Sequence, residues 1–349
     1  MGVFHSQAIK DEPQVGAARR AVRRFAQQAG FGADALSDLE IVVQEIGTNA
    51  VRYATQGGCL HWRSSLCGGQ GIELTYEDKG PGIHDLDRAL RDGVSSGGSL
   101  GTGFGAMRRL LDEFDAHSTV KGTTRRLTSA RRTTWGTALL GRKWARPPRD
   151  AAEERERAQA RRRGVWTRPR PGEDRNGDAY FFGEHSGKVL LTVVDGLGHG
   201  HGAAEAAGAA VEVLEAWEGE PLDDLFWGLH DALRATRGAV VGAVLIDEPR
   251  GSFAYAGVGN VEVRVIGTDE PVRPVPANGT LGARLSQLRV WPHRYEPGTT
   301  FVLATDGLSA KWDLSSYPGL RHRSPQLMAG VLARDYSRNS DDATIIIYR

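Results

Sequence analysis

The stretch KVLLTVVDGLGHG, Lys188–Gly200, decides how the second half of the chain is read. Lys188 to Val194 is a continuous apolar run with β-branched residues, the composition of a strand buried on both faces. It ends at Asp195, and a glycine loop follows, so a carboxylate is left at the end of a buried strand. Working outward, Ala203–Trp217 reads as an alanine-rich helix and Leu222–Arg234 as a second. Strand-like runs follow at Ala239–Ile246, Ser252–Ala256, Val261–Ile266, Thr300–Ala304 and Ala343–Tyr348, divided by Gly and Pro turns. Two helices beside two stacked sheets is the implied architecture, of α+β class.

Three more carboxylates sit where strands would end: Asp178 in NGDAYF, Asp306 in ATDGL and Asp341 in DDAT. Any one of these alone is more often a turn cap. Four separated by apolar strands form a set of hard oxygen ligands that suits Mg²⁺ or Mn²⁺. Two such ions can share a water, lower its pKa and aim it at phosphorus, with no serine or cysteine nucleophile. Asp342 stands beside Asp341, and the choice between them stays open. His199 and His201 flank Gly200, but a spacing of two in a flexible loop with no cysteine nearby argues against a zinc pair.

In the first half, Val15–Ala29 and Ala35–Tyr53 carry apolar residues at helical spacing, with Asp38 or Ser37 available to cap the second helix. Leu60–Leu66 and Gly71–Tyr76 read as strands, Ala106–Asp115 as a helix and Thr134–Trp144 as a strand, again an α+β arrangement. Glu45 and Asn49 lie four apart, on one helical face, with Arg52 one turn from Asn49. Asp78 in YEDKGPGI ends a strand, ahead of Gly80 and Gly82. A carboxylate there can accept from an exocyclic amine such as that of adenine, while the glycines let backbone approach the ring. Gly101, Gly103 and Gly105 precede the third helix, so free N–H groups and the positive end of its dipole face an anion. A lone glycine triplet is weak; the three pieces in this order are specific.

The 349 residues suggest about two domains. With 25% charged and 40% hydrophobic residues the composition is that of an ordinary globular protein, and the absence of a long apolar stretch or signal-peptide pattern leads us to expect a cytoplasmic protein without membrane contact. Two cysteines, Cys59 and Cys67, are too few for a zinc site and fit a reduced compartment. The net charge of +1 is unevenly spread: residues 1–145 carry 19 basic and 15 acidic side chains, 146–168 carry 8 and 4, and 169–349 carry 17 and 24. An acidic second half disfavours nucleic acid and suits a cation site. The Arg-, Glu- and Ala-rich stretch between Ala145 and Trp166 cannot build a core and reads as a charged linker, partly helical after Pro148. We therefore expect domains at 1–145 and 169–349 joined by a linker at 146–168. The basic segment Ser118–Trp135 fits an extended hairpin.

Residues 15–144 resemble the GHKL family of ATP-binding folds, and Ala89–Asp115, ALRDGVSSGGSLGTGFGAMRRLLDEFD, is similar to the RsbT-type switch kinases of stressosome signalling. The resemblance implies a Bergerat α/β two-layer sandwich that takes ATP, with Asn49 as ligand to a phosphate-bridging Mg²⁺, Glu45 as general base, Asp78 reading adenine and His84–Leu100 as a mobile lid. The basic insert around Arg125–Arg132 departs from the compact family pattern. No histidine stands in a phosphoacceptor motif, which disfavours a histidine kinase. Residues 170–349 resemble the SpoIIE-like branch of the PPM metal-dependent serine/threonine phosphatases, and GVGN at Gly257–Asn260 leans toward the RsbX type. That implies a PPM-type αββα sandwich in which Asp195 bridges both ions and Gly196 lends a carbonyl. Together the resemblances imply a bifunctional regulator acting on STAS-domain phosphoproteins in a stressosome or sigma/anti-sigma pathway. The alternative is a sequestering module that holds nucleotide without kinase turnover, fused to a phosphatase.

Overall fold

The computed structural model of the protein describes residues 4–65, 70–90, 103–120, 135–285 and 287–349. The chain divides into two compact units, one of residues 1–164 with 313–335, the other of 165–312 with 336–349.

In the first unit, β1 (His5–Ile9), α1 (Glu12–Gln28), α2 (Ala33–Tyr53), β2 (Gly58–Ser64), β3 (Gly71–Asp78), α3 (Leu86–Ala89), α4 (Gly103–Leu110), β4 (Glu113–Thr119), β5 (Gly136–Trp144) and α5 (Ala151–Arg161) follow in order. The antiparallel sheet runs β1-β2-β3-β5-β4. Asp11 starts α1 by accepting from the Gln14 amide at 2.9 Å, an N-cap worth about 1 kcal/mol. Helix α2 buries Leu36, Leu39, Val42, Val43, Ile46 and Ala50, one helical stripe, against sheet residues Leu60, Trp62, Ile72, Leu74 and Tyr76. Each such aliphatic side chain contributes about 1.5–3 kcal/mol. Gly47 lets α1 and α2 close together, because a Cβ there would collide with Val15.

Three expectations are revised here. Helix α2 begins at Ala33 with Gly32 as its N-cap; Ser37 and Asp38 lie inside it, the first bonded back to the Ala33 carbonyl and the second paired with Lys143. The helix expected at Ala106–Asp115 starts at Gly103 and stops at Leu110, since Glu113–Thr119 pairs along β5 as a strand. The stretch expected as a linker folds: Asp150 caps α5, and Arg163–Arg168 is strand β6. Arg157 lies over the Trp144 ring at 4.3 Å, so its stem covers apolar surface that no aliphatic residue supplies. Residues 121–134, which hold most of the basic segment, lie outside the described residues, as does Cys67.

The second unit continues with β7 (Asp178–His185), β8 (Lys188–Gly196), α6 (His201–Glu215), α7 (Leu222–Ala232), β9 (Ala239–Asp247), β10 (Ser252–Val258), β11 (Glu262–Ile266), β12 (Gly279–Thr280), β13 (Arg284–Leu285), β14 (Trp291–Arg294), β15 (Thr300–Ala304) and β16 (Ala343–Tyr348). One sheet runs β14-β10-β9-β8-β7 and the other β11-β15-β16-β6. They face each other where β16 packs on β7 and β8, while α6 and α7 cover the outer face of the first sheet through Ala206, Ala210, Leu214, Phe226 and Leu229. Strand β8 is buried along nearly its whole length, as its apolar run requires.

A last helix, α8 (Pro325–Tyr336), gives no amphipathic signal in the sequence because almost every one of its faces is buried. All but its final residue groups with the first unit. No helix among the described residues is long and apolar enough to cross a membrane.

Candidate functional sites

In the first unit, α2 presents Glu45 and Asn49 to the start of α4. A Cβ on Gly103 would stand 2.9 Å from Glu45 Oε2, so the helix begins close against the carboxylate. Asn49 Nδ2 is buried there and has no hydrogen-bond partner among the described residues. A buried amide donor left without an acceptor costs about 1–3 kcal/mol, which a bound acceptor such as a phosphate oxygen would offset. The α4 N-terminus beside it supplies further backbone donors, so the neighbourhood fits a phosphate and its cation. Gly105 is buried within α4, and Gly101 lies outside the described residues. Residues 91–100 of the expected lid also lie outside them, and the part that is described contains α3.

Asp78 ends β3. Its Oδ1 accepts from the Gly80 amide at 2.7 Å and the Thr137 amide at 3.2 Å. Burial pushes its pKa above the ordinary value, and those two amides work against the rise by favouring the carboxylate. Gly80 sits where a Cβ would press on this carboxylate, and Gly82, at φ +77°, would drive a side chain into the Thr119 carbonyl. The turn therefore needs both glycines to keep its course. Thr137, brought in by β5 from 59 residues away, has no signature in the sequence.

In the second unit, β7 and β8 pair so that Asp178 lies opposite Asp195. Thr305 donates to Asp178 Oδ2 at 2.7 Å and accepts from the Thr344 amide at 2.9 Å, which ties the buried carboxylate to β15 and β16. Asp306 lies two residues past the end of β15, and Asn260 Nδ2 donates to its Oδ2 at 2.8 Å. Asp341 accepts from the Asp342 amide at 3.0 Å. Asp342 Oδ1 accepts from the Arg170 amide at 2.8 Å, while its Oδ2 is buried with no hydrogen-bond partner among the described residues. Gly196 packs so tightly on α6 that a Cβ would collide with the Ala203 carbonyl.

The electrostatics of this cluster are one-sided. Burial, then Asp306, Asp341 and Asp342, push Asp195 up to about 7. Asp178 is raised by burial and by Asp195. Among the described residues no three His, Cys, Asp or Glu side chains close into a chelate. A looser set is compatible with Mg²⁺, which keeps several of its waters and takes only one or two carboxylates directly. The orphaned Asp342 Oδ2 and the mutual repulsion are what a divalent cation would relieve. His199 pairs with Glu173 at 2.8 Å and His201 with Glu205 at 3.4 Å, so each has a carboxylate partner of its own.

Asn260 and Thr305 complete the site and were not singled out from the sequence. Asn260 had a signal in GVGN: Gly259, at φ +92° and close against Val240, turns the chain so that Asn260 reaches Asp306.

Comparison with known proteins follows the same division. Residues 9–129 match the family described as "Histidine kinase-like ATPase domain", and residues 185–349 match "Stage II sporulation protein E (SpoIIE)". The serine/threonine-protein kinase RsbT of Bacillus subtilis (strain 168) is 34% identical over 110 residues, 32% of this chain and 83% of that one. The phosphoserine phosphatase RsbX of the same organism is 27% identical over 172 residues, 49% of this chain and 85% of that one. A solved chain from "The bacterial stressosome: a modular system that has been adapted to control secondary messenger signaling" is 31% identical with a TM-score of 0.51, covering 54% of this chain and 98% of its own. The chain thus belongs to the family of RsbT in its first part, and its second part is similar to the SpoIIE family.

Proposed function

We propose that this chain is a cytoplasmic two-site regulator that adds phosphate to protein serine or threonine with its first domain and removes it with its second, acting on STAS-domain proteins of a stressosome or sigma-factor pathway. The domains of the proposal are residues 1–145 and 169–349, joined by 146–168, a charged stretch that itself folds as α5 and β6. The observation that carries it is the pairing of two opposite designs in one chain: an orphaned amide beside a carboxylate at a helix start, and a cluster of surplus carboxylates.

At the first site Glu45 would take the proton of the incoming hydroxyl, Asn49 would hold the Mg²⁺ that accompanies ATP, Asp78 with Gly80 and Gly82 would read adenine, and Gly101, Gly103 and Gly105 would offer backbone donors to the phosphates. Glu45 and Asn49 being on one helix face puts base and cation ligand on the same side of the bound nucleotide. At the second site Asp178, Asp195, Asp306 and Asp341, with the Gly196 carbonyl, would hold Mn²⁺ or Mg²⁺, and Asp342 is the alternative to Asp341. The ions supply an activated water. Asp195, central among the carboxylates, would be a principal ligand, while Asn260 and Thr305 hold Asp306 and Asp178 in orientation.

Opposed activities on one target would only consume ATP, so the two sites act on different proteins or under a switch. The test is incubation with γ-labelled ATP and candidate STAS proteins, using Asp195→Asn so that label persists. Transfer to serine that disappears in Glu45→Gln, with nucleotide still bound, is the expected result. Bound nucleotide without transfer would favour sequestration, and phosphate release without an acceptor would indicate an ATPase cycle. Wild-type phosphoserine hydrolysis in Mn²⁺ should fall at least about a hundredfold in Asp195→Asn. Equal rates would overturn the two-metal reading.

A further inference from the structure

Arg334 lies about 190 residues beyond the expected end of the nucleotide-binding domain, on α8, yet it groups with the first unit and reaches the adenine-reading turn. Its Nη1 donates to the main-chain carbonyl of Asp78 at 3.0 Å. The guanidinium is itself held: Nε donates to Asp335 Oδ1 and Nη2 to Asp335 Oδ2, both at 2.8 Å, and Tyr317 donates its hydroxyl to Asp335 Oδ2 at 2.8 Å. The Arg334 and Asp335 side chains are 3% and 0% exposed, so the fork is fixed by burial as well as by bonding. Gly136, at φ +136°, makes room for it: a Cβ there would collide with the Asp78 carbonyl and come within 2.9 Å of Arg334 Nη1.

Asp78 is therefore gripped at both ends. Gly80 and Thr137 hold its carboxylate, and Arg334 holds its carbonyl. A residue fixed at side chain and main chain has little freedom left to lose when a ligand arrives, and such preorganisation appears as affinity. Charge acts in the same sense, because the guanidinium favours the ionised form of Asp78, the form that accepts from an amine.

Resting on the reading of the first site as a nucleotide site, we propose that Arg334 is a positioning residue for adenine recognition. Nucleotide affinity then depends on residues 313–335, which no inspection of the first 145 residues would include. The base, rather than the phosphates, is what the clamp governs: Glu45, Asn49 and Gly103 stand on other elements and have no bond to Arg334.

The experiment is titration calorimetry on the full chain with Mg²⁺, comparing ADP with inorganic tripolyphosphate, which presents phosphates and no base. In Arg334→Met, ADP affinity should fall about tenfold or more, a loss of roughly 1.4 kcal/mol. Tripolyphosphate affinity should stay within about twofold, and Arg334→Lys should recover part of the ADP loss. Unchanged ADP affinity in folded Arg334→Met, or equal losses for both ligands, would overturn the proposal. If Arg334→Met melts below the assay temperature, Tyr317→Phe serves, since it removes one bond holding Asp335; a selective loss of about two- to threefold for ADP supports the clamp, and no loss overturns it. Wild-type protein that binds tripolyphosphate but not ADP would overturn the adenine reading itself, separately from the role of Arg334.

Discussion

Glu73 and Asp195 are two carboxylates set into β-sheets with opposite surroundings. Glu73 is 2% exposed in the middle of β3, and the register places Arg63 of β2 on one side and Arg142 of β5 on the other. The row continues to Glu113 of β4 and then to Arg161 of α5, so that charges alternate across the sheet at 2.7–2.8 Å. Burial raises the Glu73 pKa, but Arg63 and Arg142 outweigh it and hold the group below its ordinary value. Asp195 faces only carboxylates and is pushed up. The contrast separates structural charge from functional charge: a buried ion whose partners are protein side chains completes the fold, and one whose neighbours repel it waits for a ligand.

Substituting each carboxylate should therefore move stability in opposite directions. Glu73→Gln leaves Arg63 and Arg142 buried without their counter-ion and should cost about 3–5 kcal/mol, read as a fall in the urea midpoint. Asp195→Asn in EDTA should stabilise the protein by roughly 1–2 kcal/mol through relief of repulsion, while phosphatase activity is lost. Stabilisation by Glu73→Gln would break the comparison.

His117 sharpens it from the cationic side. Burial and the facing Arg334 and Arg323 lower its pKa to about 4, outweighing Asp115 and Asp335. Because the folded value lies below the unfolded one, the unfolded chain binds the extra proton between those values. Stability is thus full above about pH 6.5 and declines as pH falls toward 4, by about 3 kcal/mol from this group. Denaturation midpoints across that window in His117→Gln should show a flatter slope; an unaltered slope would remove His117 as its source.

The smallest effect belongs to the end of the charge row. Arg161 is 51% exposed and also faces Glu154, so Arg161→Ala should cost less than about 1 kcal/mol despite a 2.8 Å contact with Glu113. A loss as large as that of Glu73→Gln would mean that the row acts as one network rather than by burial.

Much of this architecture is legible in the residues. The period of α2 and the apolar run of β8 report burial on one side and on both sides, so each element declares its type. Glu45 and Asn49 declare their shared face through their spacing. Elements at junctions are less legible. Glu113–Asp115 reads as the end of a helix because MRRLLDEF is helical in composition; pairing of Glu113–Thr119 with β5 overrides that preference. The segment 146–168 is poor in apolar residues, yet it folds by capping at Asp150 and by covering Trp144 with an arginine stem. Helix α8 hides because nearly uniform burial erases periodicity.

The sequence by itself determined the two phosphate chemistries, since local order suffices to place glycines before a helix or a carboxylate after a strand. Only the tertiary structure decided the partners: Thr137 and Arg334 for Asp78, Asn260 for Asp306, Thr305 for Asp178 and the arginines for Glu73. Their separations along the chain run from ten residues to more than 250, and nothing in a local pattern encodes which distant side chain a folded sheet will bring alongside. Whether a buried carboxylate is quiet or reactive is a property of those neighbours, and so it emerges only once the strands have found their register.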